Sequence, residues 1–408
     1  MSSDPVEGLR ESLQKHPADR DPLQHATAQF HLGGVLLDRG ALDEAENAFT
    51  AAAALFGARG ARPEQAKALN GLGAALRAAG RLDLAGRALE HATGGLASAG
   101  LSLEEGAARF NLGLVLRENE MAEPAAGALA RARELLDPAR VPAQAAAAAR
   151  ELGATQLMLG RLEDAEATLS EAIALAERAR DEAARGAAAN TLGLVRLADG
   201  RAQLAAEAFT LAAAASPRSV RPEPFAMAKA NLALAYEQAG APERARMAAR
   251  QAIATPGASE PVRDQATQVL ARLGRGGSDL RTVLEAEQSD DARSRIVREE
   301  LLRSAAADDH DLVADARAWL DVYTSEAIEP VEVAELWLGG LLELPPQGLE
   351  RLVRSALQAV AELDPDARDE FRQAVTRAMA RFHIPQWMRL QDVFSRAADD
   401  TGDPGPWR

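Results

Sequence analysis

The stretch Ala68-Leu69-Asn70-Gly71-Leu72-Gly73-Ala74-Ala75-Leu76-Arg77-Ala78-Ala79-Gly80-Arg81-Leu82-Asp83-Leu84-Ala85-Gly86-Arg87-Ala88-Leu89 decides how this chain folds. Apolar and small residues recur in it at three- and four-residue steps on both sides of Gly80, which is the period of a helix face. A glycine between two such faces suits a helix stop, because it takes the left-handed cap conformation without a side-chain clash. The same pattern returns every forty residues: Leu32-Gly33, Leu72-Gly73, Leu112-Gly113, Leu152-Gly153, Leu192-Gly193 and Leu232-Ala233.

Other columns keep this register. Ala28, Ala68, Ala108, Ala148, Ala188 and Ala228 form one; Ala45, Ala85, Ala125, Ala165, Ala205 and Ala245 a second; Ala52, Ala92, Ala132, Ala172, Ala212 and Ala252 a third. Phe49, Leu89, Leu129, Leu169, Phe209 and Ala249 make a bulkier column, and Gly40, Gly80, Gly160, Gly200 and Gly240 another, broken by Glu120. Constant alanine marks close helix crossings, where a larger side chain would overpack. The bulky column fills the space between helices. Hairpins of this kind cannot bury their faces alone and must stack on neighbours.

A helix–turn–helix repeat carrying Leu-Gly, then glycine, alanine, an aromatic or leucine, and alanine resembles the tetratricopeptide (TPR) repeat. The resemblance covers 26–258 and implies an all-α, right-handed superhelical solenoid. The chain departs from the pattern in places. The first-helix tryptophan slot is empty, and Leu36, Leu76 and Leu116 replace the usual tyrosine, which survives as Tyr236. Gln156 and Arg196 stand in that column in the fourth and fifth repeats. The forty-residue period, with extra residues expected between hairpins (Gly57 to Pro63, Pro217 to Pro224), resembles the longer-repeat branch found in adaptor and cargo-binding arrays.

The resemblance also implies a concave groove lined by first-helix side chains. Carried over, this gives Phe30, Asn70, Arg77, Phe110, Asn111, Arg117, Arg150, Asn190, Asn231 and Glu237 as partner contacts, with Asn111, Asn231 and Arg150 foremost. Asparagine suits the role because its amide both donates to and accepts from an extended backbone. The charged clamp of chaperone-binding members needs lysine and asparagine in consecutive repeats. Its slot here holds Phe30, Asn70, Phe110, Arg150, Asn190 and Ala230, which disfavours capture of a free C-terminal carboxylate.

The expected organisation is a capping segment over 1–25, six repeats over 26–258, a capping helix over 259–273, a linker over 274–279, an acidic helical domain over 280–400 and a flexible tail over 401–408. In the C-terminal third the forty-residue register is lost but helical patterning continues, at about 279–287, 290–307, 310–324, 330–344, 347–363, 366–382 and 386–398. It reads either as a separate domain or as degenerate repeats. All four tryptophans lie there. Trp319, Trp337 and Trp387 sit in apolar helical stripes and are expected in the core; Trp407 falls in the tail.

Charge and composition narrow the function. The chain of 408 residues carries a net −15, and the residues from Asp279 onward hold 27 of the 61 acidic and 15 of the 46 basic ones, a net −12. Nucleic acid as partner is disfavoured, since its phosphates call for a concentrated basic surface. Absence of cysteine removes disulfides and thiolate metal sites. The residues Met1 to Gly8 lack a secretory h-region, and no apolar run reaches the roughly 20 residues of a membrane span. The expectation is a cytoplasmic, bacterial protein, the alanine- and arginine-rich usage being that of a high-GC genome.

No Gly-x-Ser-x-Gly elbow, Walker loop, kinase signature or His-Glu-x-x-His pair occurs, so neither catalysis nor a cofactor is expected. The one tight carboxylate–histidine cluster, Asp308-Asp309-His310-Asp311, has the composition of a capped helix start, and no metal is assigned to it. Glu326, Glu329, Glu332 and Glu335 form an acidic edge, either a strip for a basic partner or a solvated face. The reading is a non-enzymatic scaffold or adaptor that binds a partner peptide or helix in the groove, with a C-terminal part that holds a second partner or self-associates. The alternative is a sensor–regulator whose array binds a ligand and repositions the C-terminal helices.

Overall fold

The computed structural model describes residues 4–136, 140–274, 279–323, 325, 327–402, 405 and 407. Among these every regular element is an α-helix, and the chain divides into two compact units, Met1–Arg201 and Ala202–Arg408. The fold is all-α and of TPR type.

In the first unit, α1 (Pro5–Lys15) packs on α2 (Pro22–Asp38) and adds Val6 to the cluster of Leu32, Leu36 and Phe49. Four hairpins follow: α2 with α3 (Leu42–Ala58), α4 (Arg62–Ala78) with α5 (Leu82–Ser98), α6 (Ser102–Glu118) with α7 (Ala122–Leu135), and α8 (Pro142–Met158) with α9 (Leu162–Ala179). α10 (Glu182–Ala198), the first helix of the fifth repeat, ends this unit. Most helices have 17 residues, and only three residues, 59–61, separate α3 from α4. There the residues beyond the usual TPR length extend the helices, where a longer loop was expected over Gly57 to Pro63, while the six residues 216–221 form the longer connection expected around Pro217 to Pro224.

The columns act as their chemistry requires. A Cβ placed on Gly73 would lie 2.4 Å from Leu89 Cγ, on Gly113 2.5 Å from Leu129 Cγ, and on Gly153 2.5 Å from Leu169 Cγ. The Leu-Gly glycine is thus the socket for the bulky column. Gly40, Gly80, Gly160, Gly200 and Gly240 all stop first helices at φ between +71° and +73°, and Glu120 takes the same left-handed conformation at +60°. A second series that the columns did not reveal stops the second helices: Gly60 at +71°, Gly100 at +68° and Arg180 at +55°. In the fourth repeat the departure from tyrosine leaves Gln156 Oε1 buried with no hydrogen-bond partner among the described residues. In the fifth, Arg196 Nε donates to Glu166 at 2.9 Å.

In the second unit, α11 (Ala202–Ala215) packs on α12 (Pro222–Gln238), which pairs with α13 (Pro242–Ile253), and α14 (Glu260–Leu273) covers both α12 and α13. Seven more helices follow within three residues of the expected positions: α15 (Asp279–Ala286), α16 (Asp290–Ala305), α17 (Asp309–Tyr323), α18 (Pro330–Leu342), α19 (Pro346–Ala361), α20 (Pro365–Met379) and α21 (Ile384–Thr401). Their pairing differs from that of the hairpins. α16 packs chiefly on α18 and α18 on α20, while α15 packs on α17, α17 on α19 and α19 on α21. The result is two interleaved layers. Arginines tie the layers at helix ends: Arg351 donates to the carbonyls of Ala305 and Ala307, and Arg389 to those of Leu342 and Leu344. Such contacts satisfy carbonyls that a helix C-terminus leaves unpaired.

One core runs through this region. It includes Met247 of α13 together with Leu284, Leu301, Trp319, Trp337, Phe371, Phe394 and Trp407. The C-terminal helices therefore share a core with the sixth repeat, and the expected break at 274–279 falls inside the second unit; residues 275–278 lie outside the described set. Two expectations fail. The tail expected to be flexible from 401 carries Trp407, which is buried against Phe394 at 4.8 Å, its carbonyl accepting from the Ser395 hydroxyl. Trp387, expected in the core, is 38% exposed, because it sits in the first turn of α21 with the exposed Ile384 and Met388.

Candidate partner-binding face on the first helices

Successive first helices touch along the first unit: α2 with α4, α4 with α6, α6 with α8 and α8 with α10. Second helices make no comparable contact with one another, so the row of first helices forms the inner face of this unit. Small residues make the approach possible, since Ala68, Ala108, Ala148 and Ala188 are all buried on these helices.

Polar side chains form a seam across that face. Asn111 Nδ2 donates to Asn70 Oδ1 at 2.9 Å, from α6 to α4. Arg77 donates to Glu118 at 2.7 Å, again linking α4 to α6. Arg117 and Arg150 both engage Glu151, whose carboxylate is buried. A buried carboxylate between two guanidiniums is stable only because it is paired; removing both would leave an uncompensated charge. The structure thus brings together Asn70, Arg77, Asn111, Arg117 and Arg150. The acidic partners Glu118 and Glu151 were missed, although Glu151 stands in the column of Asn111 and Asn231, directly before Leu-Gly.

The Asn70–Asn111 pair has unused capacity. One amide–amide bond leaves one carboxamide acceptor and one carboxamide donor uncommitted among the described residues. That holds whichever way the amides are oriented. Phe30 and Phe110 differ from these in being half-buried apolar side chains that also pack into the array. Phe30 stands edge-on to Phe49 at 5.9 Å and packs against the cores of the first two hairpins. Phe110 packs against the cluster of Leu129 and Leu152. Both are large apolar side chains that gain more from these contacts than from water. Asn190 is half-buried on α10.

In the second unit Asn231 is nearly buried and accepts from Gln265 of α14 at 2.9 Å. Glu237 accepts two bonds from Arg272 of α14, at 2.7 and 2.6 Å, which hold its carboxyl below the usual range. Both residues serve as anchors for α14. They are removed from an open face by that helix.

A second polar constellation was not legible in the sequence. Asp279 of α15 is buried and accepts from Arg246 at 2.6 and 2.9 Å and from Arg250 at 2.5 Å, both on α13. Beside it Gln251 donates to Glu300 at 2.9 Å, and Arg303 bridges Glu300 and Asp315 at 2.9 and 2.5 Å. Burial alone would lower the Arg303 pKa, but Glu300 and Asp315 hold it above the ordinary value. The network joins the sixth repeat to α15, α16 and α17 by charge as well as by core.

Of the acidic edge, Glu335 is neutralised by Arg381 at 2.7 Å, while Glu329 and Glu332 are exposed and Glu326 lies outside the described residues. The side chains of Asp309, His310 and Asp311 also lie outside them. Among the described residues there is no group of three metal-ligating side chains and no helix long and apolar enough to cross a membrane.

No family model matches the sequence, and no curated protein matches it. Among solved structures the chain is similar to BtubC (BKLC) from P. vanneervenii, at 19% identity over 52% of this chain and 89% of that one, with a TM-score of 0.45. It is also similar to YrrB, a TPR protein with an unusual peptide-binding site, at 19% identity over 52% and 94%, TM-score 0.38. A third is the apo form of the quorum sensor NprR from B. thuringiensis, at 11% identity over 91% and 97%, TM-score 0.47. The likeness is one of fold.

Proposed function

We propose that this protein is a non-enzymatic interaction scaffold that holds an extended peptide or helix of a protein partner on the first-helix face of its first unit. The observation that carries the reading is the Asn70–Asn111 pair, which offers one donor and one acceptor side by side on a face built from helices in contact. An extended backbone presents the same complementary pair at each residue. Arg77 borders it, held by the accessible Glu118, a carboxylate that a partner's own acidic group can replace at little net cost, while Arg117 and Arg150 stay paired with the buried Glu151. Asn190 belongs to the same proposal as the contact at the far end of the row. The C-terminal helices hold a second partner or another copy.

The test is a full-length variant carrying Asn70→Ala, Asn111→Ala and Arg150→Ala. It should keep the wild-type melting temperature within a few degrees and lose the partner captured by the wild-type chain from its native lysate. Equal retention of that partner by the folded variant would remove the face from the proposal.

A second reading is a sensor–regulator in which binding is relayed to the C-terminal helices. It is favoured by one feature, the buried charge network from Arg246 and Gln251 to Asp279, Glu300 and Asp315. Buried networks of this kind switch between discrete arrangements more readily than they deform. Limited proteolysis around 274–279 should change when the partner binds if this reading holds, and should not for a passive scaffold.

A further inference from the structure

A cavity of about 210 Å³ opens in the second unit where α12 and α13 meet α15 and α16, away from the first-helix face. Leu232, Met247, Val283 and Ile296 give it an apolar interior. Three cations, Lys229, Arg244 and Arg295, line it against two carboxylates, Glu287 and Glu299. Pairing among these five is uneven. Lys229 is buried and donates to Glu299 at 2.5 Å, so that each neutralises the other. Glu287 accepts from the backbone N–H groups of Gln288 and Ser289 at 3.1 and 3.3 Å, which commits it locally. Arg244 approaches it only to 3.7 Å, beyond hydrogen-bond distance.

The two arginines are therefore the open groups. The Arg244 guanidinium lies over the Tyr236 ring, 5.8 Å from its centroid, and a stacked guanidinium keeps its in-plane N–H donors available. Arg295 is exposed on the rim and makes no hydrogen bond or ion pair among the described residues. Guanidinium donors without an acceptor select an anion, and their fork matches a carboxylate by two parallel hydrogen bonds. Three cations against two carboxylates leave one net positive charge, which a monoanion cancels and a phosphate ester overshoots. Set against the roughly 150 Å³ cavity that takes benzene, the volume holds one ring and a short chain. We infer that this cavity binds a small aromatic carboxylate, its ring on Leu232, Met247 and Ile296 and its carboxylate at Arg244 and Arg295. The Met247 thioether is a favourable neighbour for an aromatic ring. The inference is independent of the partner-binding face, as no residue is shared.

The experiment titrates the full-length protein with 3-phenylpropanoate and with the neutral 3-phenylpropanamide, by calorimetry and by NMR of the methionine methyl groups. The carboxylate should bind saturably, more tightly than the amide, and should shift the Met247 methyl resonance. Arg295→Gln should weaken the carboxylate by about ten-fold, the effect of one hydrogen bond to a charged group, and leave the amide unchanged. Because Arg295 holds no other described group, its replacement should not move the melting temperature, so a loss of binding is separable from a loss of fold. Arg295→Lys should restore part of the affinity. Absence of saturable binding by the carboxylate, equal affinity for the amide, a Met247 methyl unmoved at saturation, or an affinity unchanged by Arg295→Gln would each overturn the inference.

Discussion

The hairpins of the first unit and the layers of the C-terminal third are both built from helices of similar length, yet they pack in opposite ways. In the hairpins each helix lies along its sequence neighbour, as α4 does on α5 and α8 on α9. In the C-terminal third each helix lies chiefly on its next-but-one neighbour, as α17 does on α19 and α18 on α20. Side-chain volume explains the difference. Where glycine faces leucine and alanine faces alanine, two consecutive helices approach closely and a short turn suffices. Where Trp337 meets Phe371 and Phe394, with centroids 6.3 and 6.0 Å away, the core is thicker and the contacts spread over two layers. Small side chains specify the close pairing; large ones fill a shared interior.

The comparison can be broken most forcefully at Trp337, which is 2% exposed in the shared core. Trp337→Ala should destabilise the C-terminal third by about 3–5 kcal/mol, read as an early transition in chemical denaturation. Next in size is Gly113→Ala, whose new methyl would meet Leu129 Cγ at 2.5 Å. Overpacking should cost about 1–3 kcal/mol, despite the better helix propensity of alanine. The same exchange at a glycine with open space around it should have the opposite sign. A Cβ on Gly339 of α18 meets nothing within 4 Å, so Gly339→Ala should stabilise by up to about 1 kcal/mol. If both substitutions moved the denaturation midpoint in one direction, the assignment of Gly113 as a socket for Leu129 would be wrong.

A finer test lies at Glu120, the non-glycine residue in the first-helix stop column, at φ +60°. Glu120→Gly should stabilise the first unit by about 1 kcal/mol, since glycine adopts this conformation without the side-chain clash. The smallest effect is electrostatic. Hydrogen bonds from Arg201, then Arg196, hold the Glu166 carboxyl below its ordinary value of 4.5 against the opposing effect of burial. A lowered folded-state pKa means the stabilisation is present above the unfolded value and is lost as pH falls through the folded one. Acid titration of stability should therefore show a limb below about pH 4.5 that Glu166→Gln flattens; a limb unchanged by the substitution would count against the pairing.

What could be read in the sequence follows from the same physics. Repeated hairpins were legible because close crossings tolerate only glycine and alanine, so the columns at Gly73, Ala85 and Ala92 return without drift. The seven later helices were legible from their apolar period and from caps such as Asp364, which accepts from Ala367 N at 2.9 Å. Their pairing was not, because a thick core accepts many combinations of large residues and leaves no column. Trp387 was misplaced since an apolar stripe continues to the first turn of a helix even where nothing covers it. At the candidate face the family resemblance supplied Asn70, Asn111 and the arginines. It did not reveal that Phe30 and Phe110 also pack into the array, drawn there by their neighbours Phe49 and Leu129. The Asp279, Glu300 and Asp315 network escaped because ion pairs between α13 and later helices obey no repeat.

The account turns on which face of the first unit meets a partner. A photo-crosslinking residue placed at Ala74, one helical turn after Asn70 on α4, should capture the partner, while one at the exposed Glu90 on α5 should not. Capture from Glu90 alone, or equally from both positions, would contradict it.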